Sequence, residues 1–348
     1  TDAQFHGVLI DGQATTGYNT DDFIHPNCVD PHPVDSGTSI DITVKRSEIT
    51  GAGQLAGYDI SQATGCPQDF DGVRVDQGGN GSLSAKIVGS SFDDNLADGV
   101  ELDETGSGDN TAVVRSSDFN GNGATQEIVC EVEDLCGGDY LGMIEDLDDA
   151  FDMDEAGNGS LIATVTDTDL SDNFDEGIDL DEAGAGSATV TVRDVTANRN
   201  TDEGVKVTEE DAGNLTATVR NSNLDDSLDS DNAEFEEFGN GGNTVEFVNV
   251  SADNAGDGDG LKVEEEDAGS NSTTLRNSSF DANADEGVQT TETGGGNLTI
   301  VISGSTLVDN EDNDLQGEQE TPGSGSLKVR SSTVGTTDLE GIGQVTGI

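Results

Sequence analysis

This chain of 348 residues has no tryptophan and three tyrosines, so the aromatic platforms that sugars usually rest on are in short supply. Basic residues are scarce too. Lys and Arg total 13 against 73 Asp and Glu, a formal charge of −60. Phosphates would be repelled, which excludes ordinary nucleic-acid binding. Anionic membrane surfaces are excluded for the same reason. No apolar run approaches the ~20 residues a spanning helix needs, so membrane insertion is not expected. Proline occurs five times and glycine 47 times, which suits many tight turns without a collagen period. Only 31% of residues are hydrophobic, a proportion that could signal disorder at this charge. The spacing of those residues argues otherwise.

An apolar column runs through Phe92, Phe119, Leu170, Ala197, Leu224, Ala252, Phe280, Leu307 and Val334. Its steps are 27, 51, 27, 27, 28, 28, 27 and 27 residues, the long one being a period plus 24. A glycine column, Gly72, Gly99, Gly177, Gly204, Gly260, Gly287 and Gly341, keeps the same register. Within a repeat, apolar residues alternate, as in Leu215, Ala217 and Val219, the period of a strand with one buried face. Gly, Asn, Asp and Ser fill the gaps between strands. Such a repeat cannot bury its apolar face alone, but stacked repeats share a continuous core. A β-propeller blade would need ~40–50 residues. The expected fold is all-β: a single-domain parallel β-helix over 1–348, about ten coils of roughly 27 residues. At ~4.8 Å per coil it would be a rod on the order of 50 Å long.

Three insertions interrupt the period, at approximately 12–37, 51–70 and 124–148. They carry the four cysteines. An even count without zinc spacing favours disulfides and an oxidising compartment. Cys28–Cys66 and Cys130–Cys136 are the expected pairs out of three possible pairings. His25-Pro-Asn-Cys-Val-Asp-Pro-His32 lacks a zinc pattern and reads as a disulfide loop with incidental histidines. A chain starting at Thr1 reads as having lost a leader, so an extracellular or cell-surface location is expected.

The segment Ser-Asp-Asn-Phe-Asp-Glu-Gly-Ile at 171–178 is echoed at 93–100 and 281–288. In these segments the chain resembles the right-handed parallel β-helix repeat family, whose members include pectin-degrading enzymes, tailspikes, adhesins and surface proteins. The resemblance implies the handedness. The N-terminal helical cap common in that family is missing, since Gly7-Val-Leu-Ile already reads as strand. The last residues, 341–348, read as an unfinished coil.

Acidic columns carry the sharpest chemical signal. Five residues beyond the apolar column stand Asp175, Asp202, Asp229, Asp257, Asp285 and Asp312. Five beyond the glycine position stand Glu104, Glu155, Glu182, Glu209, Glu237, Glu265 and Glu292, with Gln77 and Gln319 at the two ends. Asp94, Asp172, Asp226 and Asp309 add a partial third column. Carboxylates one coil apart repel by about 0.9 kcal/mol per pair even in bulk water. Structural calcium, a hard cation that takes six to eight oxygens, would offset this. Solvated corners screened by high salt are the other reading. Arg46, Arg115, Arg193, Arg220, Arg276 and Arg330 fall near one outward position, where they compensate neighbouring acids or line a ladder for an anionic glycan.

Glycoside hydrolysis needs two carboxylates at a set separation. Here candidate pairs occur everywhere, and no coil departs from its neighbours as an active site would. A non-enzymatic structural protein is expected, a subunit stacking head-to-tail into a cation-stabilised filament. The alternative is a cell-surface adhesin that binds glycans through its N-terminal insertions.

Overall fold

The computed structural model describes residues 7–12, 38–52, 71–123, 149–320 and 322–347. The expected insertions lie almost wholly outside the described residues, as do the Cys28–Cys66 and Cys130–Cys136 pairings and the His25–His32 segment.

Each repeat gives one strand to each of two parallel, eleven-stranded sheets. Sheet 1 begins Val8–Gly12, Val73–Gln77, Val100–Glu104, Phe151–Gly157 and Ile178–Gly184, and ends at Thr337–Glu340. Sheet 2 begins Ile40–Lys45, Leu83–Val88 and Asn110–Arg115, and ends at Ile342–Thr346. A third side is held by parallel bridges that pass from Glu48 through Ser91, Asp118, Asp169 and Thr196 to Thr306. The chain is therefore an all-β parallel β-helix, without helices among the described residues. Parallel crossovers within one sheet are right-handed in ~98% of cases, the sense the family resemblance implies.

Alternation fills the interior. Val73, Val100, Phe151 and Ile178 pair directly down sheet 1, and Ile87, Val114, Val165 and Val192 do so down sheet 2. All are buried. The third side supplies Phe92 and Phe119, whose rings stack at 4.8 Å, and Phe151 meets Phe119 edge-on at 6.1 Å. Size is balanced within a coil: Phe235 and Phe247 cross at 90°, and Ala233 shares their coil.

One polar column also enters the interior. Asn95, Asn122, Asn173 and Asn200 each donate or accept along a chain of side-chain amides spaced 2.9–3.1 Å apart. The Oδ1 atoms of Asn122, Asn173 and Asn200 also accept a backbone N–H from the coil before. Where the repeat substitutes Ser227, the side chain of Asn232 takes over, accepting from the Ser227 N–H and donating to Asn283. Buried amides need partners, and the ladder supplies them coil by coil except at Asn200, whose Nδ2 is buried without an acceptor before the ladder resumes at Asn232. Asn173→Ala should lower stability by about 2–4 kcal/mol, because it strands the Asn122 N–H and amide. Urea unfolding measures this; a loss under ~0.5 kcal/mol would remove the ladder's importance.

The last coil is shorter than the period. Leu315 pairs with Thr337 and Gln316 with Asp338, so Gly341 does not continue the glycine column. It sits instead at a left-handed turn, φ 69°, between the last two strands.

Candidate cation sites

The glutamate column closes a turn. Sheet 1 ends at these residues, and the glycine four positions on has no room for a side chain. A Cβ on Gly186 would lie 1.5 Å from the Gly159 carbonyl oxygen and 2.3 Å from a Glu182 oxygen. The glycine N–H points at the carboxylate instead. Gly159 donates to Glu155 and Gly186 to Glu182, both at 3.0 Å, and Gly296 donates to Glu292 at 2.6 Å. All seven glutamates, from Glu104 to Glu292, are 0–1% exposed, so they are not solvated corners. The oxygens of Glu209, Glu237 and Glu265 have no hydrogen-bond partner as ionised groups.

Stacked, buried carboxylates cannot all be charged. Burial, with hydrogen bonding and repulsion from the neighbours above and below, pushes Glu155 and Glu209 up to about 9 and Glu265 up to about 8. Burial also raises Glu104, Glu182 and Glu237, but the hydrogen bonds they receive oppose it. Burial therefore favours the protonated form along this column, most strongly at Glu155, Glu209 and Glu265.

The aspartate column is less uniform. Asp175 is buried and Asp202 half-buried, whereas Asp229, Asp257, Asp285 and Asp312 are more open to solvent. Asp172, Asp226 and Asp309 lie at the surface in the left-handed region, at φ 63°, 68° and 63°. Asp and Asn tolerate that conformation better than other non-glycine residues, which accounts for their recurrence there. Asp172 is engaged by the Arg199 guanidinium through two 2.7 Å bonds.

An unanticipated row stands one residue before the glycine position: Asp71, Asp98, Asp149, Glu176, Glu203, Asp231, Asp259 and Glu286. It runs along the edge of sheet 1 where each strand begins. Asp175 and Asp202 of the expected column join it. Asp149, Asp175 and Glu176 each bring an oxygen within 4.8 Å of the others, as do Glu176, Asp202 and Glu203, and Glu203, Asp231 and Glu234. The signal was present in the sequence as an acid near the start of each sheet 1 strand. Asp/Glu mixing hid it.

Two lysines enter this row from sheet 1. Lys206 donates to Glu176 at 3.0 Å and to Asp179 at 3.1 Å. Lys262 bonds Glu234 and Glu236. Burial opposes ionisation of Glu176, but Lys206 and the hydrogen bonds the group receives outweigh it and hold it below its usual range. Burial and the repulsion of Glu176 raise Asp149 and Asp175 well above theirs. Burial lifts Asp231 to about 7 and, with repulsion from Asp231, Asp259 to about 9.

On sheet 2, Arg115, Arg193, Arg220, Arg276 and Arg330 share one exposed column, and Arg46 lies one residue beyond it. Arg193 pairs with Asp194 at 2.6 Å, and Arg220 and Arg276 share Glu246. These contacts compensate local charge.

No family model and no curated protein matches the sequence. Among solved structures, the chain is similar to the Azotobacter vinelandii mannuronan C-5 epimerase AlgE4 A-module. The two are 12% identical with a TM-score of 0.27, covering 90% of this chain and 89% of that one.

Proposed function

We propose that this protein is a non-enzymatic, extracellular structural subunit whose acidic flank is neutralised by calcium and which stacks head-to-tail into filaments. The observation that supports this reading most is the continuous strand pairing of both sheets, with a register shift at Gly325 and Ser326 in the last pair of sheet 2. Among the described residues, each end presents edge strands bonded to one neighbour: Val8–Gly12 and Ile40–Lys45, then Thr337–Glu340 and Ile342–Thr346. Edge strands invite a further strand. A contact between unlike ends does not close and propagates as a fibre. Carboxylates crowded along one flank oppose such growth until cations bridge or screen them.

Electron microscopy and sedimentation of the protein, with calcium and after chelation, test the proposal. Filaments that form with calcium and dissociate on chelation are expected. A monomer at every calcium and salt concentration would exclude it. A second reading, a glycan-binding adhesin, draws support from sheet 2, whose outer face sets Thr164, Thr191 and Thr218 beside the arginine column. Calorimetric titration with acidic polysaccharides would register heat only in that case.

A further inference from the structure

We infer that Asp149, Asp175 and Glu176 form a site for one divalent, oxygen-seeking cation of the calcium class, and that Lys206 occupies the equivalent place one coil further on. The inference deepens the calcium-neutralised reading above and rests on it. It moves the metal from the exposed aspartates of the expected column to the buried row beside them.

Geometry carries it. Two oxygens on one calcium can lie no further apart than twice a 2.3–2.6 Å bond, about 5 Å. The three carboxylates meet that limit, with oxygens within 4.8 Å of one another. Their backbone is fixed: the Glu176 N–H donates to Asp149 Oδ1 at 2.7 Å, and the Asp149 N–H donates to Asp98 Oδ1 at 2.6 Å. That leaves Asp149 Oδ2 and Glu176 Oε2, both buried and both without a hydrogen-bond partner. Asp149 is 0% and Glu176 3% exposed. A buried carboxylate oxygen with no donor needs a proton or a cation.

Position along the row sets where a cation can enter. At the next cluster, Glu176, Asp202 and Glu203, the Lys206 ammonium already bonds Glu176 Oε1 and lies close enough to Asp202 and Glu203 to favour their ionised forms. At Glu203, Asp231 and Glu234, Lys262 plays that part through Glu234. No lysine acts on Asp149 or Asp175 among their principal neighbours. At the Asp149 cluster Lys206 reaches Glu176 alone, which leaves Asp149 and Asp175 to a cation from solution, whereas the clusters on either side carry their positive charge in the chain, from Arg74 before it and from Lys206 and Lys262 after it.

The test uses the full chain in molar sodium chloride, where exposed carboxylates are screened over ~3 Å and weak surface binding is suppressed. Calcium is titrated calorimetrically, and terbium luminescence reports the site directly. The wild type should bind calcium. D149N/E176Q should lose that binding, since the amide introduced by D149N still accepts the backbone N–H of residue 176 but carries no charge. K206M should gain one equivalent of calcium. D257N, in the exposed column, should match the wild type. If D149N/E176Q does not fold, as judged by circular dichroism, D175N is read in the same way. Binding that survives in D149N/E176Q, or an absence of binding by the wild type, would overturn the site. An unchanged stoichiometry in K206M would overturn the role of Lys206. Filament formation is scored separately by microscopy. Filaments from a D149N/E176Q protein that binds no calcium would leave the site intact while ending the calcium-dependent assembly reading.

Discussion

Gly269→Ala is expected to destabilise the protein by about 4 kcal/mol or more, among the largest effects of any single methyl group in this chain. The added Cβ would stand 1.3 Å from the Gly241 carbonyl oxygen and 2.5 Å from a Glu265 oxygen. Neither can yield. The carbonyl belongs to the coil below, and the carboxylate is packed into the turn. Relief would require separating two coils, which breaks strand pairing on both sheets. Gly343→Ala is the matched control, because nothing lies within 4 Å of its Cβ position. It should change stability by less than ~0.5 kcal/mol. Guanidinium unfolding of the two variants beside the wild type decides the matter. Equal midpoints would mean that the turns do not stack as described.

The second large effect concerns pH, and its direction is opposite to ordinary acid denaturation. Glu155, Glu209 and Glu265 have folded values of about 9, 9 and 8, well above the 4.5 of an unfolded glutamate. Between those limits the folded chain binds more protons than the unfolded chain. Stability from these groups is fully present below pH ~4.5 and is lost as pH rises through 8 to 9. Asp149, Asp175 and Asp259 are raised and act in the same sense. Glu176 and Asp314 are lowered and act oppositely, losing their contribution as the medium becomes acid. The calcium-free protein should therefore be several kcal/mol more stable at pH 5 than at pH 9. Thermal unfolding in chelator across that range checks the slope. A midpoint that rises steadily toward pH 9 would show that the column is ionised throughout. Infrared spectra at neutral pH should show protonated carboxyl groups, and E155Q/E209Q/E265Q should lose part of that signal while remaining folded, the rest coming from groups such as Asp149, Asp175 and Asp259.

The period, the alternation of strands and the apolar column at Phe92, Phe119 and Leu170 were legible in the sequence because they repeat at a fixed interval with one residue class. Burial of the glutamates was not. In the sequence Glu182-Ala-Gly-Ala-Gly186 looks like a polar corner. Only the stacking of Gly186 on Gly159 shows that the corner turns inward and shuts the carboxylate from water. The aspartates at 172, 226 and 309 recur for a backbone reason, a left-handed turn, which composition alone does not separate from a ligand column. The asparagine ladder was not legible either, since asparagine is also common in the turns and in one coil Asn232 takes the ladder position from five residues away. Gly341 matched the period by number, yet the final coil omits part of its third side.

The glutamate column also has a definite count. Burial and the carboxyls above and below push Glu155, Glu209 and Glu265 up. The amides of Gln77 and Gln319 stop the sequence at both ends, turning to the Thr38 and Glu320 carbonyls. Duplicating one coil would leave every strand, turn and apolar layer in register, but it would add another buried carboxyl to the column. Each added coil thus places one more carboxyl, shut from water, between the two glutamine stops, a constraint on growth by internal duplication that the hydrophobic pattern does not reveal.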